Sequence, residues 1–418
     1  MNDFSGYFIG IAYGLPIPGY TTATNYIRQS IDLDPTNQQY IRISYVNLNQ
    51  QSFTFQLWFL IRSSASLVDF GIFSQCGSDL ICLSISIHNF RVTLSFDSLR
   101  SNVSTLLGGS ILSRSYWYHL TIVYNAVLRQ QLIYINGKID AIANDVTPYQ
   151  GTSFGATTYI GLSSSINYPL SYSHGFIDHF TISAGVARTA CQIYNDATLI
   201  AYYPFDTTDT LLNRSVNLIH GIAFDLTTVS SGRLQQAISF KINTSYFQAQ
   251  CFPTIRPSSV PVSVSLWVNP MTIIGGGSLV HISTLQNGTG SICYDLLGFT
   301  TVGMLLGQLI TSPTTLINTH AVILPLNTWT HIAIVYSNTN GFRLFINGQL
   351  TDAVSGSMTT NQFSLYITLG NNGPGLSVSS SSCVSSSVVA GPYRGAIDEF
   401  RIYNRELDVQ ELCVLANI

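Results

Sequence analysis

The chain repeats itself. All four tryptophans fall into two matched pairs. Trp58 lies in FTFQLWFL and Trp267 in VSVSLWVNP, 209 residues later; Trp117 opens WYHLTIVYNAVLRQQLIYINGKID and Trp329 opens WTHIAIVYSNTNGFRLFINGQLTD, 212 residues later. Downstream, GFIDHFTIS from Gly175 answers GAIDEFRIY from Gly395; upstream, QSIDLDPTNQQYIRI from Gln29 answers QAISFKINTSYFQA from Gln236. The order is the same in both copies, which marks a tandem duplication. Whatever one copy folds into, the chain makes twice, and the expected domains are 1–196 and 197–418.

Each copy reads as strands. LTIVY and IAIVY are β-branched runs of strand length, and each is followed by a segment centred on Asn-Gly, at Asn136-Gly137 and Asn347-Gly348. Asn-Gly accepts the positive φ angles of a type I′ turn, so both segments are expected to be hairpins. Helical spacing occurs only around Ala190–Asp196 and Asp408–Leu415. The pattern predicts an all-β chain of two tandem antiparallel β-sandwich jelly rolls.

Composition limits the partners. Charged residues are 9% of the chain against a usual ~25%. There are two lysines, Lys138 and Lys241, and three glutamates, Glu399, Glu406 and Glu411. With a net charge of −3 the chain has no electrostatic footprint for nucleic acid. No run of 18 apolar residues occurs, so no direct membrane insertion is expected.

The combined order of these motifs resembles the laminin-G-like jelly roll of the concanavalin A-like lectin/glucanase fold. The second copy carries the pattern nearly whole, ending GAIDEFRIYNREL, and LIAYYPFD from Leu199 is similar to the family's opening strand. The first copy departs at its end, with His179 in the place of Glu399, and it has no counterpart of LIAYYPFD. A segment upstream of Met1 is expected to supply that strand, together with the secretion signal that residues 1–30 do not show. The resemblance implies a non-enzymatic extracellular recognition or adhesion protein that binds a glycan or an extracellular protein. The alternatives are a spacer within a larger surface protein and, last, a glycoside hydrolase.

Glucanases of this fold need two carboxylates close together on one strand. Residues 1–196 contain no glutamate, and in the second copy Asp398 and Glu399 are adjacent, which on a regular strand sends them to opposite faces. Gly151–Gly155 fits G-x-S-x-G but runs into strand residues rather than a helix. His119 and His331 occupy equivalent places in the two copies, which points to a role in the fold. Asp32, Asp34 and Asn37 offer hard oxygens at calcium-loop spacing, although turn capping is the preferred account of such residues. Tyr168, Tyr172 and Tyr393 are the candidate sugar platforms, because sugars stack their C–H faces on rings. Cys76 is expected to pair with Cys82 and Cys293 with Cys383; Cys251 with Cys413 is a further option that leaves Cys191 odd. Sequons at Asn102, Asn213, Asn243 and Asn287 offer glycan acceptors.

Overall fold

The structure, a computed structural model, describes all residues except 1–9, 23–25, 27–28, 66–68, 78–80, 98–103, 152–155, 165–169, 207–210, 253–260, 313–314, 321, 359–364, 374–382 and 385. The chain divides into two compact units, Met1–Ala197 and Thr198–Ile418.

Each unit is a sandwich of two antiparallel sheets. In the first unit, sheet A runs Ile11–Tyr13, Tyr40–Ile43, Thr157–Ile160, Phe70–Cys76, Cys82–His88, Arg91–Asp97, Ser104–Leu107. Sheet B runs Lys138–Ala143, Gln130–Ile135, Trp117–Asn125, Phe53–Ile61, Gly175–Ala184, Ser30–Leu33, Tyr20–Thr21. Period-2 alternation explains the core between them. Phe53, Phe55, Leu57, Phe59 and Ile61 point inward from sheet B to meet Leu83, Ile85, Ile87, Val92, Leu94 and Phe96 of sheet A. The jelly-roll expectation is met.

The second unit repeats this plan. Its sheet B holds Arg394–Tyr403 between Ala237–Phe240 and Val262–Thr272, and Leu199–Tyr203 adds a further strand along Arg394–Tyr403. Among the described residues of the first unit, no strand takes the corresponding place beside Phe180–Ala184. Its sheet A runs Gly221–Phe224, Tyr246–Phe252, Leu365–Leu369, Gly277–Ser283, Cys293–Phe299, Met304–Ser312, Thr315–Asn318.

The paired histidines serve the fold, as their repetition implied. His119 and the Asn136-Gly137 turn clamp each other: Asn136 N–H donates to the His119 carbonyl at 2.8 Å, and His119 N–H donates to Asn136 Oδ1 at 2.9 Å. His331 and Asn347 make the same pair of bonds at 2.9 Å each. Both asparagines and both following glycines have positive φ, as a type I′ turn requires (Asn136 51°, Gly137 78°; Asn347 48°, Gly348 76°). Burial pushes both imidazoles down to about 3, so they are neutral packing groups against Trp58 and Trp267.

Candidate functional site

The outer face of sheet A in the first unit is paved with hydroxyls. Cross-strand register places Tyr159 opposite Ser74, Ser74 opposite Ser84, Ser84 opposite Ser95 and Ser95 opposite Thr105, one continuous row across five strands. A second row pairs Ser86 with Thr93 and Thr93 with Leu107. Their strand neighbours Leu83, Ile85, Ile87, Val92 and Leu94 face the core, so this face is polar by alternation alone.

A small hairpin turns the face into a pocket. Leu162–Ser163 pairs with Ser171–Tyr172 and lies across Phe70–Cys76, where Ser74 Oγ donates to the Leu162 carbonyl at 2.9 Å. Gly71 makes the close approach feasible, because a Cβ there would collide with the backbone at Ser171 O and Ser163 N. Beside the hairpin is a cavity of about 440 Å³. Ser84, Ser86, Thr93, Ser95 and Thr105 line its floor; Leu170, Ser171, Tyr172 and Pro35 border it, and Asp69 with His88 closes one end at 2.7 Å. That volume lies within the usual range for small-ligand sites, about 300–1,000 Å³.

The hydrogen bonding is incomplete inside it. Ser95 Oγ and Thr105 Oγ1 pair at 2.8 Å, but Thr93 Oγ1 is buried with no partner among the described residues. An unpaired buried hydroxyl costs about 1–3 kcal/mol, and Thr93 is among the residues that line the cavity. Tyr172, a sequence candidate, lines this pocket and also meets the rings beyond it: Tyr40 at 6.3 Å, itself stacked on Tyr13 at 5.0 Å.

A laminin-G-type family model, described as the concanavalin A-like lectin/glucanases superfamily, matches residues 35–194 and again residues 243–413. The chain belongs to that superfamily. A search of curated proteins finds no match. Among solved structures, about half of the chain is similar to Domain 4 of AbnA, a GH43 extracellular arabinanase from Geobacillus stearothermophilus in complex with arabinotriose (18% identity over 52% of this chain and 98% of that one, TM-score 0.36). It is also similar to the binding domain of Paraclostridial Mosquitocidal Protein 1 (18% identity, 53% and 52% covered, TM-score 0.40). A third is mouse laminin alpha1 chain, domains LG4-5 (13% identity, 87% and 86% covered, TM-score 0.29). The chain spans about half the length of the mosquitocidal binding domain.

The second laminin-G-like domain has the same face but fills it with its own chain. His281 stands where Ser74 stands and Asp295 where Ser84 stands. The described end of the serine-rich insertion is strapped beside them: Val384 N–H donates to the Cys293 carbonyl and Val389 N–H to the Phe299 carbonyl, each at 3.0 Å, and Asn318 Nδ2 donates to Ser387 Oγ at 3.1 Å. Tyr393 at the end of this strap corrects one expectation. It is 1% exposed, its ring stacked on Phe299 and its hydroxyl donating to the Ala396 carbonyl at 3.2 Å, so it is core and no sugar platform. Tyr168 lies outside the described residues.

The other sequence candidates fall as follows. Asp32 pairs with the Arg62 guanidinium. Asp34 caps the Pro35–Asn37 turn and accepts from Thr36 N at 2.9 Å and Thr36 Oγ1 at 2.7 Å; that hydroxyl holds its carboxyl below the usual range. Asn37 contributes its backbone, the carbonyl accepting from Leu15 N–H at 3.3 Å. Cys76–Cys82 and Cys293–Cys383 are disulfides as expected, while Cys413 and Cys191 are exposed free thiols, so Cys413 does not pair with Cys251. Asn243 and Asn287 are exposed. Asn213 is 2% exposed, its Oδ1 accepting from Tyr202 and Ser215 N–H, which removes it as a glycan acceptor in the folded chain. Asn102 and Ser153 of the G-x-S-x-G stretch lie outside the described residues.

Asp398 and Glu399 are both fully buried. The strand bulges at Glu399, whose φ is 54°, so simple alternation does not hold there. Asp398 accepts from the backbone N–H groups of Arg233, Leu234 and Glu399, and Glu399 is held by Tyr202 and Arg401. Neither carboxylate reaches a groove.

Proposed function

We propose that the chain is a non-enzymatic recognition protein whose first laminin-G-like domain takes a carbohydrate on the outer face of sheet A. The observation that carries this reading is the cavity itself, lined by the hydroxyl residues Ser84, Ser86, Thr93, Ser95 and Thr105 and bordered by Tyr172, with Thr93 Oγ1 lacking a partner among the described residues. Sugars present alternating hydroxyls and apolar C–H faces, and the pocket offers matching hydroxyls and one ring. The second domain, whose face is covered by its own strap, acts here as a spacer. Two disulfides and the exposed sequons at Asn243 and Asn287 fit an oxidising, extracellular setting. No helix among the described residues is long and apolar enough to cross a membrane.

The direct test is a glycan array probed with the full chain, in calcium and again in EDTA. Saturable binding to a defined saccharide supports the reading; a blank array in both conditions overturns it in favour of a protein ligand or a pure spacer. Binding lost only in EDTA would assign a cation to Asp32, Asp34 and Asn37, for which Arg62 would have to turn away.

Two substitutions sharpen the test. Thr93→Val removes an oxygen that has no partner, so it is expected to stabilise the free domain by about 1 kcal/mol while weakening the saccharide about tenfold. A hydroxyl that served only the fold would give the opposite sign in a thermal melt. Gly71→Ala forces the covering hairpin off the sheet; the expected result is more than tenfold weaker binding with circular dichroism unchanged.

A further inference from the structure

Under the strap of the second domain, His281 faces Asp295 across two strands, and both side chains are almost wholly out of solvent. His281 Nδ1 lies 2.9 Å from Asp295 Oδ1 and Nε2 lies 2.9 Å from the Gly288 carbonyl. Cys293 is two residues from Asp295 on the same strand face. It is bonded to Cys383, whose sulfur also approaches the Gly288 carbonyl, at 3.6 Å. Ligand atoms of His281, Cys293 and Cys383 all lie within 4.8 Å of one another.

The first domain shows that the sandwich does not need this cluster. At the equivalent register it has Ser74 opposite Ser84, and Cys82, the counterpart of Cys293, closes onto its strand neighbour Cys76. The second domain instead gathers one imidazole, two sulfurs and an orienting carboxylate at one point. A set of two thiolates and one imidazole is the donor choice of zinc. A carboxylate on the far ring nitrogen is the usual way such a histidine is aimed.

We infer that the cluster is a zinc site gated by the Cys293–Cys383 disulfide, distinct from the proposed carbohydrate pocket and independent of it. Two equivalents of a monothiol are oxidised to their own disulfide while the Cys293–Cys383 bond takes up two electrons and two protons, leaving two thiols. Zinc then displaces both thiol protons, which leave to solvent, and takes the lone pair of neutral His281 at Nε2, while Asp295 holds the ring at Nδ1. Cys293, Cys383 and His281 supply three ligands, and the Gly288 carbonyl stands beside two of them for the fourth position. With the disulfide formed, the sulfurs have no thiolate to offer and the site is closed to metal.

The experiment uses the full chain carrying Cys76→Ser and Cys82→Ser, so that one reducible pair remains among the known disulfides. Zinc ion alone is the ligand, and a phosphine, oxidised to its oxide, is the non-chelating reductant. Equilibrium dialysis is expected to find one tightly held zinc per reduced chain and none per oxidised chain. His281→Ala should weaken binding at least a hundredfold, and Asp295→Asn about 10–100-fold. Should His281→Ala fail to fold, cobalt decides without it: the reduced chain must show a thiolate-to-cobalt charge-transfer band that the oxidised chain lacks. Equal zinc in both redox states, zinc untouched by His281→Ala, or a reduced chain with no cobalt–thiolate band would each overturn the inference.

Discussion

Acidification from pH 7 to pH 4 is expected to open the first domain while the second stays closed. His119 is neutral in the fold, pushed down to about 3 chiefly by burial and further by the neighbouring His179. In the unfolded chain it titrates near 6.5. Its folded value is depressed, so the full contribution is present above pH 6.5 and is lost as pH falls towards 3. At about 1.4 kcal/mol per unit, the first domain loses roughly 3 kcal/mol by pH 4. His331 does the same in the second domain. There, however, burial raises Asp398 to about 7, even though its three backbone N–H donors work the other way. A raised carboxyl takes up its proton earlier in the fold than in the unfolded chain, so stability grows as pH falls from about 7 to 3.8. Across that window the two groups cancel, and Glu399, raised by the same burial, adds to the second term. Hydrogen exchange read separately on the Phe53–Ile61 and Val262–Thr272 strands checks this. Simultaneous loss of protection, or earlier loss in the second domain, would show that Asp398 is ionised in the fold.

Much of this architecture was readable because it rests on local chemistry repeated twice. Asn136-Gly137 and Asn347-Gly348 announce their hairpins through the backbone angles they permit, and the histidines they clamp recur at the same spacing. The candidate pocket was only half readable. SISIH and RVTLSF show a polar outer face, but any sandwich has one. What makes a pocket of this one is the pairing of Leu162–Ser163 with Ser171–Tyr172 over Gly71, about ninety residues away in sequence, and no local pattern encodes that contact. The loop position of Tyr172 agrees with its place at the cavity's border, whereas the same reasoning fails for buried Tyr393. A ring before the last strand looks like a rim residue until Phe240 and Phe299 are seen to enclose it. Asn213 misleads for a similar reason, since N-x-S states nothing about burial and its amide is used to hold Tyr202 and Ser215.

The two disulfides are expected to differ in what their loss costs, because they close loops of different length. Cys76–Cys82 spans 6 residues along the chain and joins strands already paired in register, whereas Cys293–Cys383 spans 90. Loop-closure entropy in the unfolded chain makes the short link worth roughly 2 kcal/mol and the long one about 4–5 kcal/mol. The long link also tethers the strap beside the buried His281–Asp295 pair, where the first domain has two serines. Once Cys383 is free, Val384 and Val389 keep their backbone bonds to Cys293 and Phe299, but nothing covalent fixes them there. Cys383→Ser paired with Cys293→Ser should therefore lower the second domain's unfolding free energy by about 4 kcal/mol in urea. Cys76→Ser with Cys82→Ser should lower the first domain's by about half as much, each change confined to its own transition. Equal losses would mean that the strap is held by its hydrogen bonds and by buried Val388 rather than by its tether.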